Sequence, residues 1–198
     1  MGLSDFFRGG ASPLPSTFAG QVYGPLHALF LAAIPILLFW RTGEPLTKLG
    51  VTRFTLSDGV MAAVLFVVIL ATFYALRPLV ASLRGRYMAV FRFHIRWLLP
   101  FWAVPIATFV EVFKEEIVDR GYVCARVLDL GWGKPAAVLI SALVFRIPHF
   151  YYGWAPLIPI FVHGLIFALV FCSTRRIWPL VIAHSAYDLG LFALAYFR

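Results

Sequence analysis

Apolar and charged positions fall in long blocks along this chain. Residues 21–40 and 59–76 contain no Asp, Glu, Lys or Arg. A helix needs about 20 apolar residues to cross a bilayer, so each block predicts a span. Pro25 opens the first and Pro35 kinks it. Between them lies a polar linker, 41–58, broken by Gly43, Pro45 and Gly50, with Ser57 or Asp58 as cap of the next helix. Both spans are rich in Leu, Ala, Val and Phe, hold no candidate chemistry and read as scaffold.

The block 77–96 differs: Arg77, Arg84, Arg86, Arg92 and Arg96 are interleaved with apolar residues, and no acid accompanies them. On a helical wheel all but Arg86 fall within roughly 120° of arc. That pattern predicts a basic amphipathic helix lying among anionic headgroups. A third apolar run, 97–110, leads into an acidic stretch, 111–124. Gly121, Gly131 and Gly133 are expected to break the path before Pro135 starts a helix over 136–149. An aromatic turn, 150–154, precedes a fifth span over 156–172, where Gly164 and Ala168 offer a small-residue seam. After Arg175 and Arg176, a last span covers 177–197. The predicted fold class is all-α: a polytopic transmembrane helical bundle of about six spans plus one interfacial basic helix. It forms a single membrane domain, 1–198, with scaffold in 1–96 and catalytic helices in 97–197.

Composition agrees with a membrane protein. The chain is 62% hydrophobic and 13% charged, with mean hydropathy +0.87, far too apolar for a soluble domain. Continuous rather than alternating apolar runs exclude a β-barrel. The net charge of +8 sits mostly between apolar runs, where it suits lipid headgroups rather than nucleic acid. Cys124 and Cys172 are far apart in sequence and read as two buried thiols.

Acids at membrane depth are costly and need a reason. The stretch 111–124 holds four of the nine acids: Glu111, Glu115, Glu116 and Asp119. Glu116 and Arg120 stand at i,i+4 and are expected to pair. Glu115 lies on another part of the face and gets no partner from Arg120. The remaining polar residues in apolar helices are Arg146, His149, His163, His184 and Asp188. His184 and Asp188 are again i,i+4, so the carboxylate is expected to hold the imidazole in one tautomer. Singly, each His reads as a core residue. Together they predict one water-filled pocket fed by three helices.

Three segments carry a resemblance: Glu115-Glu116-Ile-Val-Asp-Arg120-Gly-Tyr, Ser141-Ala-Leu-Val-Phe-Arg-Ile-Pro-His149, and Trp178-Pro-Leu-Val-Ile-Ala-His184-Ser-Ala-Tyr-Asp188. In this order they resemble the motifs of the CAAX-protease and bacteriocin-processing family, the Abi or type II CAAX endopeptidase-like group of glutamate-type intramembrane proteases. The resemblance implies that Glu115 with His149 activates the attacking water. It implies that Glu116 and Arg120 shape and charge-balance the site. His184 and Asp188 would polarise the scissile carbonyl or steady its oxyanion.

Three positions depart from the pattern. Asp119 replaces an apolar residue and is expected to compete for Arg120. Arg146 intrudes three residues before His149, and Asp188 replaces Asn. No cofactor is expected. Zinc is the metal such a donor set would take, but HExxH is absent and no two His lie at i,i+4, so a metal-free Glu/His site is favoured.

The expected activity is hydrolysis of a membrane-associated peptide: a prenylated tail, a bacteriocin-type leader or a sorting tail. The expected location is a prokaryotic cytoplasmic membrane. The alternative is a non-catalytic immunity or scaffold protein of the same fold that binds a peptide without cutting it.

Overall fold

The computed structural model describes residues 17–84 and 98–196, with the side chains of 84, 151 and 194–196 left aside. Among the described residues the protein is an all-α bundle. In chain order the helices are α1 (Phe18–Arg41), α2 (Leu56–Arg84), α3 (Ala103–Glu115), α4 (Val123–Asp129), α5 (Gly133–Arg146), α6 (Leu157–Thr174) and α7 (Trp178–Tyr196). A π-helical segment, Glu116–Tyr122, joins α3 to α4 without a break, so 103–129 is one continuous helix.

Among the described residues three helices are long and apolar enough to cross a membrane: Phe18–Arg41, Leu56–Leu83 and Leu157–Thr174. The expected count of six is therefore corrected to three by this measure. For two of the three that fall away the physical reason is length and charge. At 1.5 Å per residue the 14 residues of α5 span only about 21 Å, and the continuous helix over 103–129 carries the acidic cluster. In the windows of α1 and α2 just 22% of residues are buried within the protein. Phe30, Leu37 and Trp40 on α1 and Val60, Val64 and Val67 on α2 face outward, as residues whose solvent is lipid do. The molecule is an integral membrane protein.

The second apolar run does not stop at Leu76. Helix α2 passes through Pro78 to Arg84 because Phe73 and Val80 pack with Ala155 and hold the helix past the charge at Arg77. Residues 77–84 thus belong to a long helix rather than a separate interfacial one. The rest of the expected basic helix, 85–96, lies outside the described residues.

Gly121 does not break the chain either. It sits buried inside the π-helical segment, where a Cβ would stand 2.9 Å from the Leu49 carbonyl oxygen. This close backbone approach, not a turn, is why glycine fits there. The real breaks are Gly131 and Gly133, both at φ +78°. Helix α5 ends at Arg146 rather than His149, and Pro148 falls in the 3₁₀ turn Ile147–Tyr152. The small-residue seam is present: Gly164 on α6 meets Ala142 on α5, with a Cβ position 3.0 Å from the Ala142 Cα.

Two polar clasps hold the 42–55 loop to the bundle. Arg176 forks onto the fully buried Asp58, with Nη2 2.6 Å from Oδ2, and also donates to the Arg53 carbonyl at 2.7 Å. Asp58 in turn accepts from the Thr55 backbone N–H at 2.7 Å, the return half of a capping box at the start of α2. In the second clasp Arg126 of α4 binds Glu44 in bidentate fashion, at 2.7 and 3.1 Å, and lies 4.2 Å over the Phe39 ring. Lys48 joins Glu44 to Asp129. This second clasp presses the 3₁₀ turn Leu46–Leu49 onto Gly121 and so braces the π-helical segment from outside.

Candidate active site

The acidic stretch presents two faces: i,i+4 spacing keeps 115 and 119 on one side and 116 and 120 on the other, with 116–122 in the π-helical segment. Glu116 and Arg120 point into the bundle and are fully buried. Arg120 Nη1 donates to Glu116 Oε1 at 3.1 Å, the pairing expected from i,i+4 spacing. The guanidinium also lies 4.0 Å over the Phe145 ring and 5.4 Å from that of Phe167, which suits a cation removed from water. Asp119 does not capture Arg120: among the described residues the arginine's ion pair is with Glu116.

His184, from α7, reaches the same carboxylate. Its Nδ1 donates to Glu116 Oε1 at 2.8 Å, so Glu116 accepts from two cationic or dipolar partners on two helices. The opposite nitrogen, Nε2, lies 3.9 Å from Glu115 Oε2 and 3.8 Å from Asp188 Oδ2. Asp188 is therefore a neighbour of His184 but not the group that holds its ring. That correction has a simple cause: one turn of the same helix brings Asp188 near, while the bundle brings Glu116 closer.

Glu115 is not unpaired. Lys114 lies 3.4 Å from its Oε1 and 3.3 Å from Glu111 Oε2. Glu111 itself packs against α1, with Oε1 3.1 Å from where a Cβ on Gly24 would sit. His149 donates Nδ1–H to the Phe145 carbonyl at 2.9 Å, which leaves Nε2 as the basic nitrogen of the neutral ring.

Glu115, Asp119 and His149 line one cavity of about 320 Å³, together with Lys114, Val118 and Tyr122 from the same helical face. Its far wall is apolar and comes from α1: Leu31, Ile34, Pro35 and Leu38. Glu116, Arg120, His184 and Asp188 form a linked group immediately behind this cavity, joined to it through the Glu115–His184 approach. Of the six site residues singled out in the sequence, two line the cavity and four stand behind it.

His163 is elsewhere. It bonds the Ile69 carbonyl on α2 at 3.2 Å and meets Tyr187 edge to face, a helix-to-helix strut. Arg146 lies 5.9 Å over the Phe150 ring, and its neighbours Phe145, Pro148 and His149 line the cavity instead.

Four contributors were not singled out from sequence as site residues: Lys114, Tyr122, the α1 wall and Ser141. Ser141 Oγ donates to the Asp119 carbonyl at 2.6 Å and ties α5 to the π-helical segment. Its place at the head of the second motif was the available signal. The α1 wall had none, since its residues are ordinary in an apolar span.

Among the described residues no three His, Cys, Asp or Glu are grouped to hold an ion, and Glu116 Oε1 already accepts from Arg120 and His184.

Residues 96–190 match a family model described as type II CAAX prenyl endopeptidase Rce1-like. No curated protein and no solved structure matches the chain.

Proposed function

From the premise that this chain belongs, through residues 96–190, to the CAAX protease family, we propose that it is a glutamate-type intramembrane endopeptidase acting on the tail or leader of a membrane-associated substrate. The observation that carries this reading is that Glu115, at the end of α3, and His149, in the 3₁₀ turn after α5, line the same cavity. In the proposed reaction a water between them loses its proton to Glu115, and the oxygen attacks the scissile carbonyl. His149 Nε2 orients that water, and the proton passes on to the leaving amine as the C–N bond breaks. His184, steered by Glu116, is the group that polarises the carbonyl, with Asp188 near its Nε2. Arg120 neutralises Glu116, so the second carboxylate is an anchor rather than a base.

The apolar α1 wall opposite Glu115 is suited to the hydrophobic part of a membrane-borne substrate. The substrate classes this fits are a prenylated tail, a bacteriocin-type leader and a sorting tail.

The test is cleavage of such peptides by detergent-purified protein. Glu115→Gln is expected to lose about 10²- to 10⁴-fold in turnover, the usual weight of a general base. Cleavage by Glu115→Gln at the wild-type rate would remove Glu115 as the base, whereas wild-type protein that binds the peptides and cuts none would leave binding without hydrolysis as the reading.

A further inference from the structure

Asp119 is a carboxylate without a hydrogen-bond partner among the described residues. Its residue is only 6% exposed, yet among the described residues no side chain or backbone N–H bonds it. The other acids nearby are all engaged. Glu116 has Arg120 and His184, and Glu111 and Glu115 share Lys114. What remains open to Asp119 is the cavity, which it lines beside Glu115 and His149.

The placement is built rather than accidental. Glu115 and Asp119 stand one turn apart on the continuous helical face that also presents Lys114, Val118 and Tyr122 to the cavity. Ser141 pins the Asp119 backbone from α5 at 2.6 Å, and Gly121, two residues on, is wedged against Leu49. The segment bearing this carboxylate is thus fixed from two sides. A buried anion left without a counter-charge is costly. The only cation lining the cavity, among the described residues, is Lys114, already held by two carboxylates. A carboxyl so placed either keeps its proton or takes a counter-charge from what enters the cavity, and a basic group is the ligand that would hold it ionised.

Resting on the protease reading above, we propose that Asp119 is a specificity-determining residue that receives a basic side chain, Lys or Arg, of the substrate peptide close to the scissile bond. Its spacing one turn from Glu115 sets the register: the basic residue docks on Asp119 while the peptide bond beside it lies over Glu115 and His149. The apolar α1 wall holds the rest of the segment. An ion pair in a site shielded from water discriminates strongly against a neutral isostere. A tenfold preference, about 1.4 kcal/mol, is the least such a contact should give.

The test uses three membrane-anchored peptides that differ in one residue, Lys, norleucine or Glu, stepped along the positions flanking the cut. Both binding and kcat/KM are measured for wild type, Asp119→Asn and Asp119→Lys, each first checked for a cooperative melt. Asp119→Ser replaces Asp119→Asn in the comparison should the latter not fold. At one position, wild type is expected to favour the Lys peptide at least tenfold. That ratio should fall to about one in Asp119→Asn, and Asp119→Lys should turn it toward a Glu-bearing peptide. Equal ratios in wild type and Asp119→Asn would overturn the proposal while cleavage itself upholds the protease reading. A charge preference in binding without any cleavage would support Asp119 as the docking group and overturn the protease reading. Protein that neither binds nor cuts any of the peptides overturns both.

Discussion

Glu116 Oε1 accepts from His184 Nδ1 at 2.8 Å, whereas Asp188, one turn from His184 on its own helix, stands 3.8 Å from the other nitrogen. The ring is oriented across the bundle and not along the helix. Glu116 therefore joins Arg120, His184 and the backbone of the π-helical segment into one buried unit.

Breaking that unit should cost far more than trimming its edge. Glu116→Gln leaves the fully buried Arg120 without its counter-charge, and removal of one partner of a buried pair costs about 3–5 kcal/mol. Asp188→Asn should cost under about 1 kcal/mol, because it breaks no close hydrogen bond. Unfolding both variants in the same detergent checks this. Equal losses would show that Asp188 holds His184 after all.

The close approach at Gly121 predicts a second asymmetry. In Gly121→Ala the new Cβ meets the Leu49 carbonyl oxygen at 2.9 Å, and backbone atoms on both sides have no easy way to yield. A loss of about 1–3 kcal/mol is expected, as for overpacking. Gly59→Ala is the control, since its nearest neighbour is Phe54 at 3.9 Å; it should be neutral or stabilising by about 0.4–1 kcal/mol. Thermal melts of the two variants give the comparison, and a harmless Gly121→Ala would refute the tight packing.

Ser141→Ala removes the hydroxyl that bonds the Asp119 carbonyl, in a site fully closed to solvent. The expected loss is about 0.5–1.5 kcal/mol. Backbone hydrogen exchange over 116–122 should rise in the variant, with residues on α2 unchanged. Unaltered exchange in 116–122 would mean that the bond does not brace the segment.

The Glu44 clasp lies outside the spans and should make stability depend on pH. The Arg126 and Lys48 side chains hold the Glu44 carboxyl down from 4.5 to about 2. A depressed carboxyl contributes stability that is fully present above its unfolded value near 4.5 and is lost as pH falls toward 2. Wild type should therefore melt above Glu44→Gln at pH 7, with the gap closing between pH 4.5 and 2 and narrowing in high salt. A gap that stays constant down to pH 2 would count against the clasp.

Much of this protein is written locally. The charge-free runs specify helices in lipid because a bilayer tolerates no other single-segment spanning form. The i,i+4 spacing of Glu116 and Arg120 specifies their ion pair because both ends lie on one helix. The three ordered motifs carry the family. Tertiary structure decided what depends on neighbours from other helices. It replaced Asp188 with Glu116 as the partner of His184, because contact distance across a packed bundle is invisible to spacing along one helix. It made Gly121 a contact point and not a break, since only the Leu49 backbone reveals why a side chain cannot fit. It set a π-helical turn where a regular 100° step had been assumed. It also brought the plain apolar residues of α1 to the cavity, for an apolar side chain reads the same in sequence whether it faces lipid or walls a site.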